Sequence, residues 1–105
     1  MTDSIVVLTS CPDEAAAARI AAALLEDGLA ACVTRQPVRS MYRWEGRLVD
    51  EPEVLLVIKT LASRFSDLEM RLKSIHPYTL PEIIALPIAG GSATYLSWLA
   101  AAVTP

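Results

Sequence analysis

The segment Val54-Leu55-Leu56-Val57-Ile58-Lys59-Thr60 decides the fold. Its five consecutive apolar residues do not alternate with polar ones, which is typical of a β-strand buried on both faces. Residues 5–8 and 83–86 form two further apolar runs of the same kind. The chain therefore predicts a sheet that needs cover on both of its sides.

Segments with helical periodicity separate and follow these runs. From Asp13 to Asp27 apolar residues recur at helical spacing, and Gly28 is placed to terminate the helix. A second helix is predicted over residues 64–75. A third is predicted from a cap at Ser92 through Val103.

Residues 29–60 predict two long strands joined as a hairpin. The first strand runs from about Leu29 through Trp44, and Pro37 within it indicates a bulge or an edge. Polar residues at 45–47 and 50–52 indicate the connection. The order β-α-β-β-α-β, followed by one more helix, is the ferredoxin-like pattern: an α+β plait with an antiparallel sheet, in one domain spanning residues 1–105.

The hydropathy of the chain predicts self-association. The helices of a ferredoxin-like plait cover one face of its sheet, whereas the predicted strands are apolar on both. A mean hydropathy of +0.41 is high for a monomer of 105 residues, because so small a domain leaves much of its surface exposed. Another copy of the same chain is the simplest cover for the second face.

Composition excludes several function classes. A net charge of -3 and a pI near 5.0 give no general attraction to nucleic acid or to an anionic membrane. No apolar run approaches the roughly 20 residues of a membrane span. The start, Met1-Thr2-Asp3-Ser4, lacks the positive region of a signal peptide, so we expect a cytoplasmic protein with reduced thiols. Cys11 and Cys32 then favour packing or metal ligation over a disulfide.

The segment from His76 to Glu82 is the best candidate for a site. Pro77 and Pro81 exclude a helix or a central strand there and predict a stiff connection that carries the only histidine of the chain. Cys11 lies at a strand-to-helix junction, where a helix N-terminus stabilises thiolate. A cysteine, a histidine and a carboxylate such as Glu82 suit copper or zinc if they converge.

Purely structural roles and a catalytic role are the alternatives to this metal hypothesis. The chain has no CxxC, HxxxH or HExxH motif, so spacing does not demand a metal. Cys11 is also explained as a small residue that packs at the strand-to-helix junction, and His76, taken alone, is better explained as a cation favoured at a helix C-terminus. A cysteine hydrolase, with Cys11 as nucleophile and His76 as base, has no recognisable oxyanion hole.

Aromatic residues and one lysine form a second candidate group. Tyr42, Trp44, Tyr78 and Trp98 suit either a small-ligand cleft or a protein interface. Lys59 follows an apolar strand, where an unpaired cation is costly, so we expect Glu82 or an anion as its partner.

Several motifs resemble the divalent-cation tolerance (CutA) family over nearly the whole chain. They are Thr9-Ser10-Cys11-Pro12, Ser40-Met41-Tyr42-Arg43-Trp44-Glu45-Gly46, Ile58-Lys59-Thr60, His76-Pro77-Tyr78, Pro81-Glu82-Ile83-Ile84 and Tyr95-Leu96-Ser97-Trp98. The resemblance implies a ferredoxin-like fold assembled as a tight homotrimer, similar to the PII signal-transduction proteins. It also implies copper and divalent-cation tolerance, with ion binding by Cys11 and His76. Position 75 is isoleucine, where some copper-binding relatives have a second histidine.

The leading hypothesis is a cytoplasmic, non-enzymatic homotrimer that binds copper or another divalent cation through Cys11, His76 and Glu82, and takes part in cation tolerance. The alternative is a PII-like sensor that binds an anionic small molecule between subunits. Its cleft would be lined by Tyr42, Trp44, Lys59, Tyr78, Glu82 and Trp98. Neither hypothesis assigns a catalytic residue, a nucleic-acid partner or a membrane partner.

Overall fold

A four-stranded antiparallel sheet and three α-helices make up the computed structural model, which describes residues 2–105. The elements are β1 (Ser4–Cys11), α1 (Glu14–Glu26), β2 (Cys32–Trp44), β3 (Arg47–Leu61), α2 (Phe65–Ile75), β4 (Ile84–Pro87) and α3 (Ala93–Val103). A 3₁₀ turn at Ala62–Arg64 leads into α2. The strands lie in the order β2-β3-β1-β4, which confirms the predicted ferredoxin-like plait and its additional helix.

Helices α1 and α2 cover one face of the sheet. Val7, Leu56 and Ile58 project from β1 and β3 into the core, where they pack with Leu24 of α1 and Leu72 of α2. All five side chains are fully buried. Removing that much apolar surface from water is the main favourable term in the folding of this chain.

The ends of α1 follow the predicted signals. An oxygen of Asp13 accepts a hydrogen bond of 2.8 Å from the backbone N–H of Ala16 and so caps the helix. Gly28 follows the helix with a φ of 69°, a left-handed conformation that glycine adopts without steric cost.

The opposite face of the sheet is also apolar. Side chains of directly opposed strand residues lie on the same face, and here Leu8 opposes Val57 of β3 and Ile84 of β4. Ile84 and its neighbour on that face, Leu86, are 48% and 49% exposed. Helix α3 contacts β1 and β3 but leaves these side chains open to solvent.

The β2–β3 hairpin closes with a two-residue turn, Glu45-Gly46. Both residues have positive φ, 50° and 76°, as a type I′ turn requires. The thirteen residues of β2 then pair with β3 without interruption from Trp44–Arg47 to Cys32–Lys59. The predicted edge at Pro37 is confirmed, and there is no bulge in this paired stretch.

The polar connection expected at residues 50–52 is wrong, because these residues lie inside β3. Strand β1 pairs with β3 only as far as Val54, so residues 38–44 and 47–53 pair with each other alone. Pro52 is tolerated there because an edge position leaves room for a missing N–H. We call residues 38–53 the hairpin arm. It contributes to an elongated chain of 44 × 25 × 21 Å.

No helix within residues 2–105 is long and apolar enough to cross a membrane.

Candidate functional site

A cleft of about 460 Å³ lies between the hairpin arm and the loop that follows α2. We call it the arm cleft. It is lined by Ser10, Tyr42, Trp44, Glu53, Pro77, Tyr78, Thr79, Leu80 and Glu82. Tyr42, Trp44, Tyr78 and Glu82 are therefore four residues of the predicted site that the fold brings to one place.

The register of the hairpin explains why three of these side chains meet. Tyr42, Trp44 and Glu53 oppose Val49, Arg47 and Val38 respectively. In an antiparallel pair this places Tyr42, Trp44 and Glu53 on one face of the arm. That face continues the side of the sheet opposite α1 and α2.

Glu53 is the principal residue that sequence reasoning missed. Its side chain is only 7% exposed, and Oε2 accepts a hydrogen bond of 2.6 Å from the hydroxyl of Tyr78. Burial, and then this bond to Glu53, raise the pKa of Tyr78. The available signal was a carboxylate immediately before an apolar strand, two residues from Leu55 and hence on the same face of that strand.

A second tyrosine–carboxylate pair, Tyr42 with Glu51, lies at the rim of the arm cleft. The hydroxyl of Tyr42 donates a hydrogen bond of 2.8 Å to Oε1 of Glu51. This bond raises the pKa of Tyr42. Unlike the Tyr78–Glu53 bond, it lies in an exposed setting, so solvent weakens its contribution to stability.

His76 has both ring nitrogens engaged. Nε2 lies 3.0 Å from the carbonyl oxygen of Ser10, and Nδ1 accepts a 3.1 Å hydrogen bond from the backbone N–H of Tyr78. A carbonyl accepts only, so Nε2 carries the proton and the imidazole is the neutral Nε2–H tautomer. Burial lowers the pKa of His76, which favours this neutral form.

Cys11 ends β1 with a fully buried side chain in the main core. Burial, and then the charge of Glu53, raise the pKa of its thiol to about 11. The expectation of a thiolate stabilised by the helix N-terminus is therefore wrong. Asp13 caps that helix and its negative charge also raises the thiol pKa. A raised thiol pKa disfavours the thiolate that a cysteine hydrolase needs.

The three predicted metal donors do not form a closed site within residues 2–105. His76 bonds to the residue that precedes Cys11, whereas Glu82 lies on the wall of the arm cleft. Within residues 2–105 no three His, Cys, Asp or Glu side chains are arranged to hold a metal ion.

Two of the residues predicted for the ligand cleft lie elsewhere. Lys59 is in the middle of the sheet, opposite Val6 of β1 and Cys32 of β2. Trp98 is 51% exposed on α3, where its ring centroid lies 5.5 Å from that of Tyr95. A second cavity, of about 540 Å³ between α3 and the start of β1, contains none of the predicted site residues.

Comparison with known proteins identifies the family. The family model described as CutA1 divalent ion tolerance protein matches residues 5–102 of the chain. The chain belongs to the CutA1 family. A Thermus thermophilus protein named divalent-cation tolerance protein CutA is 52% identical over 95 residues, which cover 90% of this chain and 92% of that relative.

Solved CutA structures have the same fold. A divalent cation tolerance protein (Cut A1) from Thermus thermophilus superposes with a TM-score of 0.92 at 48% identity, covering 96% of this chain and 99% of the other. The structure described as the periplasmic divalent cation tolerance protein CutA from Archaeoglobus fulgidus gives 0.94 at 35% identity, covering 96% and 99%.

Proposed function

We propose that this chain acts in divalent-cation tolerance by binding copper or another divalent or soft metal ion, with Cys11, His76 and Glu82 as donors. The names of its relatives support the general function. One observation carries the assignment of donors: the imidazole of His76 is hydrogen-bonded to Ser10, the neighbour of Cys11. The only histidine thereby contacts the residue that precedes Cys11, although the two are distant in sequence. The chain has no catalytic role in this proposal.

Ion binding at these donors requires local rearrangement. The thiol of Cys11 must lose its proton, and Nδ1 of His76 must exchange its bond from the Tyr78 N–H for the metal. The resulting donors favour a soft ion, because thiolate and imidazole are ligands that suit copper. Because ligands must be deprotonated, binding releases protons and weakens as the pH falls.

Equilibrium dialysis with copper and with zinc tests the donors. Cys11→Ser and His76→Ala should each abolish stoichiometric binding, whereas Cys32→Ser, which removes the other thiol, should not. Circular dichroism must first show that every variant is folded. Stoichiometric binding that survives both Cys11→Ser and His76→Ala would contradict the assigned donors.

The proposal also covers assembly and location: we propose that the chain forms a homotrimer in the cytoplasm. Support comes from the apolar face that carries Ile84 and Leu86 and from the hairpin arm, which pairs only with itself. Light scattering should give three times the mass of the chain, and a stable monomer at micromolar concentration would contradict the trimer. Because an Archaeoglobus relative is described as periplasmic, cell fractionation is the test of location.

A PII-like module for an anionic ligand is the second candidate. The size of the arm cleft and the aromatic rings of Tyr42, Trp44 and Tyr78 favour a small organic ligand. Its charge opposes an anion, since Glu53 and Glu82 line it and Lys59 does not. Loss of anion-induced thermal stabilisation in Lys59→Ala, with no response to metal, would favour this candidate.

A further inference from the structure

Tyr78 is held by two different parts of the chain, one at its backbone and one at its side chain. Its backbone N–H donates to Nδ1 of His76 at 3.1 Å, and its hydroxyl donates to Oε2 of Glu53 at 2.6 Å. Both bonds lie within one chain. A tyrosine side chain has few rotatable bonds, and a hydrogen bond weakens steeply with distance and angle. A shift of Tyr78 away from one partner therefore strains its bond to the other.

The end of α2, which carries the imidazole, is fixed on its own side. The backbone N–H of His76 donates to the carbonyl oxygen of Leu72 at 2.8 Å, which continues the hydrogen bonding of α2. Arg19 of α1 donates to the carbonyl oxygen of Ile75 at 3.0 Å. These two bonds hold the residues on which the imidazole is carried. A change of partner at Nδ1 must therefore be taken up by Tyr78.

Nδ1 of His76 can serve only one partner at a time. Because Nε2 carries the proton in the bond to Ser10, the single lone pair of the ring is on Nδ1. Histidines that ligate metals commonly donate their other N–H to a backbone carbonyl in this way. Coordination by Nδ1 and acceptance from the Tyr78 N–H exclude each other. The ion-free and ion-bound states therefore differ at Tyr78.

We propose that Tyr78 is a positioning residue that holds His76 in its ion-free geometry and thereby lowers the affinity for a metal ion. This inference rests on the proposed function, in which His76 is a donor. Release of the Tyr78 N–H shifts the ring and strains its bond to the buried carboxylate of Glu53. The free energy of that bond opposes coordination. By linkage, weakening the bond tightens ion binding, and ion binding loosens the bond.

The copper affinity of Tyr78→Phe is the first test. The probe is cuprous copper under reducing conditions, an ion that soft ligands suit. The substitution removes the hydroxyl bond to Glu53 and changes no charge, so the electrostatic attraction of the ion is kept. We expect Kd, from competition with a chelator, to fall at least about fivefold, the lower end of typical coupling between sites. A purely structural role predicts the opposite sign, because a less stable fold binds more weakly.

Tyr42→Phe is the matched control for this measurement. It also removes a tyrosine–carboxylate bond, but the partner of Tyr42 is Glu51 of the same hairpin and neither residue contacts His76 through a hydrogen bond. We expect Kd to stay unchanged in this variant. Unchanged or weaker binding in Tyr78→Phe, or an equal gain in Tyr42→Phe, would overturn the proposal.

Amide hydrogen exchange gives a readout that does not depend on any variant folding. In the unaltered protein the Tyr78 N–H should be protected without metal and lose protection when cuprous copper saturates the protein. The N–H of His76, which is bonded to Leu72, is the internal control and should stay protected in both states. Protection of the Tyr78 N–H that is unchanged at saturation would overturn the proposal.

A double-mutant cycle without metal separates this inference from the proposed function. Tyr78→Phe should cost less stability in the His76→Ala background than in the unaltered protein, because Tyr78 has already lost one of its two bonds there. Tyr42→Phe should cost the same in both. Additive losses for Tyr78→Phe and His76→Ala would overturn the link between the two residues. Non-additive losses with no copper bound by any variant would contradict the proposed function, and with it the effect on affinity, while the link stands.

Discussion

The carbonyl oxygen of Ser10 and Nε2 of His76 lie 3.0 Å apart, although 66 residues separate them in sequence. This bond ties the loop after α2 to the end of β1. It also fixes which nitrogen of the imidazole carries the proton. One wall of the arm cleft is thus held to the sheet by a histidine that must stay neutral.

Acidification should destabilise the metal-free protein through His76. Burial lowers the pKa of His76 in the folded state, so the unfolded chain, with a pKa of about 6.5, binds the proton more readily. Stability is therefore highest above the unfolded pKa. It falls as the pH drops from about 6.5 towards the lower folded value, by at most about 1.4 kcal/mol per pH unit. Chemical denaturation in EDTA at pH 7.5 and 5.5 measures this. His76→Gln should flatten the difference, and identical profiles for the two proteins would contradict the assignment.

Cys11 should react slowly with thiol reagents. With a pKa of about 11, roughly one thiol in a thousand is ionised at pH 8, and the side chain is fully buried. Native Cys32→Ser, in which Cys11 is the remaining thiol, should take up an aromatic disulfide reagent over hours, and the denatured protein within minutes. Complete labelling of the native variant within minutes would be the contrary result.

The two tyrosine–carboxylate pairs should differ in strength. Tyr78→Phe leaves the buried Glu53 carboxylate without its hydrogen bond, so we expect a loss of about 1–3 kcal/mol in the free energy of unfolding. Tyr42→Phe removes a bond of similar length in an exposed setting and is expected to leave stability nearly unchanged. Urea denaturation of both variants makes the comparison. Equal losses would show that burial of Glu53 does not set the strength of its bond.

The hairpin turn should require glycine at position 46. An alanine Cβ there would contact no atom within 4 Å, so the cost arises only from the positive φ of 76°. We expect Gly46→Ala to destabilise the protein by about 1 kcal/mol. Gly90→Ala is the control, because that glycine has equal space and no positive φ. Thermal unfolding of both variants measures the difference. A Gly46→Ala variant as stable as the unchanged protein would contradict the assignment of a type I′ turn.

Much of the fold follows from local sequence signals. The apolar runs at 5–8 and 54–58 specify the two central strands, and Gly28 ends α1 as its conformational freedom predicts. The hairpin turn was harder to place. Asp50, Glu51 and Pro52 have a composition typical of a loop, yet they lie inside β3 because the arm has no second neighbour there and tolerates proline and charge.

The candidate site was less predictable because it depends on strand register. Tyr42, Trp44 and Tyr78 line the arm cleft of a single chain, whereas the predicted ligand cleft lies between subunits. Lys59 pairs in the middle of the sheet and Trp98 lies on α3, so neither lines this cleft of the single chain. The burial of Glu53 results from packing between the arm and a loop distant in sequence, so composition alone could not identify it.

Because the hairpin pairs without interruption, its side chains alternate between the two faces along its whole length. Every second residue of β2 faces the same way from Cys32 to Trp44, so the alternation set at the central strands also decides which side chains enter the cleft. Adding one residue to each strand beyond the cleft would only lengthen the arm. A single residue inserted into β2 before Tyr42 would turn Tyr42 and Trp44 outward while every helix kept its place. In this chain, an even number of residues inserted into β2 before Tyr42 would preserve the inward-facing cleft, whereas an odd number would reverse it.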